Sequence, residues 1–153
     1  MFNQEVEAEV SSYTTRLGGW PAQFVTGEQL IPAMQATLQK VEGNVLYREQ
    51  NRNVWATMYR MIGGAYLIHS SMGMNDKLRN ALTYLSKSRE LWPEQQKLDD
   101  NIGVLQAFLN AGQEDIREYF TTVLQILRGP GDAQIPAIVE QLVAVGQQQK
   151  RSA

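Results

Sequence analysis

The chain of 153 residues contains no cysteine and only one histidine. Without cysteine there is no disulfide framework, no thiolate nucleophile and no zinc site of the usual thiolate kind. The lone histidine, His69, is not part of a Glu-x-x-His motif, the pattern that carboxylate metal sites in helical proteins use. Nucleophile elbows and phosphate-binding glycine loops are missing as well. We therefore expect no metal, no cofactor and no catalytic residues, and we predict that the protein is not an enzyme.

Long apolar runs and concentrated basic patches are also missing. No apolar run approaches the roughly 20 residues of a membrane-spanning helix. Residues 1–10 lack the basic and apolar regions of a secretory signal, although a leader removed before residue 1 stays open. The formal net charge of -2 and the pI near 5.4 disfavour nucleic acids and anionic membranes, which bind basic surfaces. We expect a cytoplasmic protein whose partners are proteins or peptides.

The residues that are present predict an all-α protein. A hydrophobic content of 43% with 20% charged residues is typical of a folded globular domain. Apolar residues recur three and four positions apart almost throughout, whereas strand-like alternation is scarce. Glycine- and proline-containing breaks divide the chain into about seven helices, the second of which has Thr26 as its expected N-cap. These helices cover approximately residues 4–17, 26–43, 45–71, 76–91, 94–110, 114–128 and 133–146.

The pair Ile62-Gly63 returns along the chain as Ile102-Gly103, each time within an apolar helical stretch that a second helix follows. Glycine inside a helix lowers the helix propensity by about 1 kcal/mol relative to alanine, so such a glycine needs a structural reason. We predict that both glycines mark contacts where the two helices of a hairpin approach closely. A hinge at Gly63-Gly64 is the alternative.

Around these pairs the sequence resembles the tetratricopeptide repeat family, whose pattern is W-x2-L-G-x2-Y, then A-x3-F and a proline. The resemblance covers about residues 56–130. In the second copy the two aromatic positions are polar, and in the first copy the loop around residues 72–74 is enlarged. The first copy reads Tyr59-x2-Ile62-Gly63-x2-Tyr66, then Ala81-x3-Leu85-x2-Ser88-x4-Pro93, and the second keeps Ile102, Gly103, Ile116, Phe120 and Val123.

The resemblance implies stacked antiparallel hairpins, a tetratricopeptide-like short α-solenoid. We expect one helical domain over residues 1–153. It would consist of a divergent N-terminal hairpin (1–44), two repeat-like hairpins (45–93 and 94–130), and a capping helix with a polar tail (131–153).

Members of this family bind peptides on a concave surface that the first helix of each hairpin forms. Carried over to this chain, the resemblance places the partner-binding residues at Arg60, Lys97, Asp100, Asn101, Val104 and Phe108. The guanidinium of Arg60 and the ammonium of Lys97, beside the carboxamide of Asn101, suit a peptide carboxylate or an acidic side chain. Two ordinary solvated charges are the alternative.

Together these features predict a non-catalytic adaptor, scaffold or chaperone-like module that binds a protein or peptide in a helical groove. One alternative is a self-assembling structural subunit, such as a homodimer. Another is a histidine phosphotransfer domain, because Ile68-His69-Ser70-Ser71-Met72-Gly73 resembles the pattern of a helical histidine followed by lysine and glycine. Met72 replaces that lysine and so removes the cation that would stabilise a phosphoryl group.

Overall fold

The fold consists of α-helices in the computed structural model, which describes the backbone of residues 1–152 and the side chains of residues 1–148. This part of the chain contains eight helices and no strand, so the predicted all-α class is confirmed. The helices are α1 (Phe2–Gly18), α2 (Gly27–Gly43), α3 (Val45–Gln50), α4 (Arg52–Leu67), α5 (Met74–Leu91), α6 (Leu98–Asn110), α7 (Ile116–Arg128) and α8 (Ile135–Ser152).

Helices α3 and α4 replace the single helix that we predicted over residues 45–71. The backbone leaves helical geometry at Asn51, with φ −125° and ψ 51°, and this residue both ends α3 and begins α4. The side-chain Nδ2 of Asn51 donates a hydrogen bond to the carbonyl oxygen of Tyr47 at 3.0 Å. Such a local bond competes with the backbone bonds of a continuous helix. The described chain therefore has eight helices instead of the predicted seven.

Two helix starts also differ from the prediction. Thr26 is the N-cap of α2, but its hydroxyl makes no capping hydrogen bond, and Oγ1 is buried without a partner among the described residues. Helix α6 begins at Leu98, later than predicted, because Lys97 has a left-handed backbone conformation with φ 68°. The segment between Trp92 and Lys97 is therefore a turn-rich link and not the first turn of a helix.

Helix α4 lies at the centre of the fold, with α2 and α5 packed against it. Both neighbours run antiparallel to α4. The side chain of Arg52 at the start of α4 donates to the carbonyl oxygen of Leu91 at the end of α5, at 2.8 Å. The backbone N–H of Gly27 at the start of α2 donates to the carbonyl oxygen of Ile68 just after α4, at 3.3 Å. Consequently α2 and α5 are parallel to each other.

Gly63 and Gly64 permit close packing of α4 against two other helices. A Cβ atom on Gly63 would lie 2.9 Å from Cγ of Leu85 on α5, whereas one on Gly64 would lie 2.8 Å from Cδ2 of Leu127 on α7. The predicted contact role is therefore confirmed for Gly63. It is wrong for Gly103, which is exposed and would have no atom within 4 Å of an added Cβ. The repeated pair thus marks only one close helix contact.

Helix α7 packs against both the first helix, α1, and the last helix, α8. Nη1 of Arg128 at the end of α7 donates to the carbonyl oxygen of Gly18 at 2.6 Å, and α1 and α7 pack together. Helix α8 covers α7 through a small second core of Leu124, Ile135, Val139 and Val143. In an open solenoid each repeat contacts only its sequence neighbours, and the α1–α7 contact does not fit that scheme. The tetratricopeptide-like stacking and the division into hairpins stay predictions.

Candidate functional site

Arg60, the first residue of the predicted partner surface, lies within the fold more than on its surface. Its Nη1 donates to Oε1 of Gln95 at 3.1 Å, and its Nε is buried without a hydrogen-bond partner among the described residues. Burial lowers the pKa of the guanidinium. Gln95 in turn donates to Oγ of Ser88 at 2.9 Å, and Ser88 donates to the carbonyl oxygen of Ala56 at 2.7 Å. Arg60 therefore belongs to a network that joins α4, α5 and the following link.

The other predicted residues lie at the N-cap of α6 and along this helix. Lys97 and Asp100 are exposed and form an ion pair with Nζ and Oδ2 3.8 Å apart. Asn101 is 4% exposed, and Val104 and Phe108 are half-buried. Phe108 packs edge-on against Tyr119 of α7, with ring centroids 5.4 Å apart. Helix α6 packs mainly on α5 and α7, and the hydrogen bond of Arg60 joins the middle of α4 to Gln95 in the link before α6.

A different groove, here called the α2/α5 groove, lies where those two parallel helices flank α4. Its volume is about 830 Å³, within the range of about 300–1,000 Å³ that is usual for ligand sites. Polar side chains surround a floor that contains two tyrosine rings. The lining consists of Gln35, Leu38, Gln39, Glu42, Tyr59, Asn80, Thr83, Tyr84, Ser86, Lys87 and Glu90.

The aromatic rings at this groove form a tyrosine row of Tyr59, Tyr84 and Tyr66. The ring centroids of Tyr59 and Tyr84 are 5.8 Å apart, and those of Tyr84 and Tyr66 are 5.7 Å apart. All three side chains are half-buried. Tyr59 and Tyr66 are seven residues apart on α4, which places both on one face of that helix. Exposed tyrosine faces arranged in this way favour stacking against planar or apolar groups of a ligand.

Hydrogen bonds hold two rings of the tyrosine row in place. The hydroxyl of Tyr59 donates to Oε2 of Glu42 at 2.7 Å, and Nε2 of Gln35 donates to the hydroxyl of Tyr84 at 3.2 Å. Burial, followed by the bond to Glu42, raises the pKa of Tyr59 well above its usual value. Tyr59 therefore stays a neutral hydrogen-bond donor across the physiological pH range. Both bonding partners, Glu42 and Gln35, lie on α2. This helix therefore fixes the orientation of Tyr59 on α4 and Tyr84 on α5.

The single histidine lies beyond Tyr66, at the end of the tyrosine row. The rings of His69 and Tyr66 are stacked, with centroids 6.5 Å apart. Nδ1 of His69 is 3.6 Å from Oε2 of Glu28, too far for a hydrogen bond, and it is buried without a described partner. Ser70 and Ser71 both donate to the Glu28 carboxylate, and these bonds lower its pKa. The hydroxyls therefore hold the start of α2 against the end of α4.

This arrangement does not expose His69 as an open phosphate acceptor. Its side chain is only 17% exposed, and a carboxylate, not a cation, lies beside Nδ1. A phosphoryl group carries negative charge and is stabilised by nearby cations, so Glu28 is an unfavourable neighbour. The phosphotransfer alternative stays an untested prediction.

The residues of the α2/α5 groove were not predicted from the sequence. The repeat pattern uses Tyr59 and Tyr66 as packing positions and does not include Gln35, Glu42 or Tyr84. One signal was available, because Tyr59 and Tyr66 have the spacing of one helix face. The position of Tyr84 beside them depends on how α5 packs on α4, and no local pattern reports that.

In the part of the chain that the structure describes, no helix is long and apolar enough to cross a membrane. Among the same residues, no group of three or more histidine, aspartate and glutamate side chains is placed to hold a metal ion.

Comparisons with protein-family models, curated proteins and solved structures gave no match to this chain. The resemblance to tetratricopeptide repeats consequently rests on the residues quoted from the sequence.

Proposed function

We propose that the protein is a non-catalytic module that binds a short peptide segment of a protein partner in the α2/α5 groove. The observation that carries this proposal is the tyrosine row, in which Tyr59 and Tyr84 are held by hydrogen bonds and line an open groove of about 830 Å³, while Tyr66 stacks behind Tyr84. Tyrosine supplies a large contact area with little loss of conformational entropy, and it is therefore common in surfaces that bind proteins.

The polar rim of the groove suits the backbone of a peptide. Gln39 on α2 and Asn80 on α5 carry side-chain amides, which can donate and accept hydrogen bonds at once. A peptide backbone offers the same two kinds of group at every residue except proline. The charged rim residues are Glu42, Glu90 and Lys87, and Nζ of Lys87 is 3.6 Å from Oε2 of Glu90. The rim therefore has no excess of positive charge, which agrees with a peptide partner better than with a nucleic acid.

A selection of random peptides on the purified protein tests this function. Selected peptides should bind the unaltered protein saturably in fluorescence anisotropy, and Tyr84→Ala should weaken them roughly tenfold or more, because buried aromatic contacts dominate binding energy. Phe24→Ala is the matched control, since Phe24 is 84% exposed and lies outside the groove. Circular dichroism would show that each variant keeps its helices.

A second variant separates the α2/α5 groove from the surface that the sequence predicted. Lys97→Glu reverses an exposed charge at the N-cap of α6 and leaves the tyrosine row untouched. Peptide binding that survives Lys97→Glu but not Tyr84→Ala supports the groove. The proposal fails if Tyr84→Ala binds as well as the unaltered protein, or if no peptide is selected. The alternative of a self-assembling subunit stays a prediction.

A further inference from the structure

A second, smaller cavity of about 270 Å³ lies on another part of the surface, where the end of α4 meets the starts of α5 and α7. Its walls are apolar and well packed. Leu67 is 3% exposed and Val123 is 1% exposed, and the rings of Trp20 and Phe120 also line the cavity. The hydroxyl of Tyr119 in the wall is already bonded, because it donates to the carbonyl oxygen of Leu67 at 3.2 Å. These parts of the wall therefore offer a ligand apolar contact.

The mouth of this cavity carries two exposed apolar side chains. Met74 is 47% exposed and Ile116 is 45% exposed, and both line the cavity. Exposed apolar side chains are common when they are scattered singly, but these two stand together at the opening of an apolar cavity. Methionine adapts its shape to different apolar groups, which suits a ligand-binding rim.

Lys77 is the single charged residue that lines the cavity. Its side chain is half-buried, and burial lowers the pKa of its ammonium group. No described carboxylate contributes to that pKa or forms an ion pair with Lys77, whereas Arg79 on the same helix is paired with Asp76 at 3.5 Å. An ammonium that is partly removed from water and lacks an acidic partner gains from binding an anion.

We propose that this cavity binds a small amphiphile with one carboxylate head group and an aliphatic tail, such as a free medium-chain fatty acid. The carboxylate contacts the ammonium of Lys77, and the tail lies against Met74, Ile116 and Phe120. The volume of about 270 Å³ is slightly below the range of about 300–1,000 Å³ that holds drug-sized ligands, so the tail is short. The site is separate from the α2/α5 groove and does not depend on the function proposed there.

Isothermal titration calorimetry with decanoate tests this site on the full chain. Decanoate should bind saturably in the millimolar range or below, whereas 1-decanol should bind roughly tenfold more weakly and decyltrimethylammonium should not bind. Lys77→Gln should weaken decanoate roughly tenfold, and Lys77→Arg should retain most of the affinity because it keeps the positive charge. Arg79→Gln is the matched control, since it removes an exposed positive charge from the same helix.

Quenching of tryptophan fluorescence tests whether the ligand binds in this cavity. Because Trp20 lines the cavity, 2-bromodecanoate should quench part of the tryptophan emission, and Trp20→Phe should remove that quenching although Trp55 and Trp92 remain. Titration with phosphatidylglycerol vesicles distinguishes a free fatty acid from a membrane lipid. The proposal is overturned if decanoate shows no saturable binding, if Lys77→Gln and Arg79→Gln behave alike, or if only the vesicles bind.

Discussion

Gly27 lies where the start of α2 meets the end of α4, and it has no room for a side chain. A Cβ atom there would overlap the carbonyl group of Ala65 and would lie 3.2 Å from the backbone nitrogen of His69. Backbone atoms in a packed helix cannot move aside as a flexible side chain can. We expect Gly27→Ala to reduce the free energy of unfolding by about 1–3 kcal/mol, the usual cost of overpacking, as measured by urea denaturation.

Gly103→Ala is the matched control, and its effect should have the opposite sign. Gly103 is exposed inside α6, with no atom within 4 Å of an added Cβ. Alanine favours the helix over glycine, so this variant should gain about 0.5–1 kcal/mol of stability. Equal effects of the two substitutions would contradict the close approach of α2 to α4. A glycine in a helix marks a close contact only when another element lies against it. The repeated Ile-Gly pair therefore predicted a contact at Gly103 that is not present.

At the scale of elements, the guanidinium of Arg128 joins the end of α7 to the end of α1 and to the links that follow these two helices. It donates to the carbonyl oxygens of Gly18 at 2.6 Å and Trp20 at 3.3 Å, and its Nε donates to Oδ2 of Asp132 at 2.8 Å. The side chain is only 14% exposed. Arg128→Met keeps the apolar stem and leaves those carbonyls without their donor. We expect the free energy of unfolding to fall by about 1.5–3 kcal/mol in urea denaturation.

Arg117→Met provides the comparison on the same helix. Arg117 forms a two-pronged ion pair with Glu140 of α8, with Nε and Oε2 2.8 Å apart, but the two side chains are 56% and 59% exposed. Exposed ion pairs contribute little because water and salt screen them. The unfolding transition of this variant should be unchanged within error. A similar loss for both variants would mean that Arg128 acts through general charge and not through its buried contacts.

The elements themselves were largely predictable from sequence, since glycine, proline and the spacing of apolar residues act locally. Breaks at Gly43-Asn44 and Gly129-Pro130-Gly131 separated the helices correctly. The break at Asn51 was not foreseen, because it depends on a side-chain hydrogen bond to Tyr47 within an otherwise helical pattern. The left-handed conformation of Lys97 was also unpredictable, since lysine rarely adopts it.

At the scale of the whole molecule, the α2/α5 groove exists because distant segments share one central helix. Gln35 and Tyr84, which bond across the groove, are separated by 49 positions, and Tyr119 bonds to Leu67 across 52 positions. Helical periodicity identifies the buried face of each helix but not its neighbour. The partner surface on α4 and α6 was predicted from the resemblance to tetratricopeptide repeats, whereas the open aromatic surface lies between α2 and α5. Which surface binds a partner is decided by Tyr84→Ala and Lys97→Glu.

The buried tyrosines also predict how the stability of the whole fold changes in alkali. Burial raises the pKa of Tyr119 from 10.0 to about 12, and this side chain is 5% exposed. Below pH 10 Tyr119 is protonated in both the folded and the unfolded state, so its full contribution to the free energy of unfolding is present. Above pH 10 the unfolded chain releases this proton while the folded state keeps it, and that contribution is lost as the pH rises toward 12. Two pKa units correspond to about 2–3 kcal/mol, so Tyr119 alone should make the protein much less stable in strong alkali.

Comparison with Tyr119→Phe isolates this contribution, because the other tyrosines are common to both proteins. Near neutral pH the variant should be less stable by about 1 kcal/mol, since it lacks the hydrogen bond to the carbonyl oxygen of Leu67. As the pH rises from 10 toward 12, phenylalanine does not ionise, and the difference should shrink and then reverse. Urea denaturation at a series of pH values measures it. A difference that stays constant up to pH 12 would show that Tyr119 ionises in the folded state as readily as in the unfolded chain.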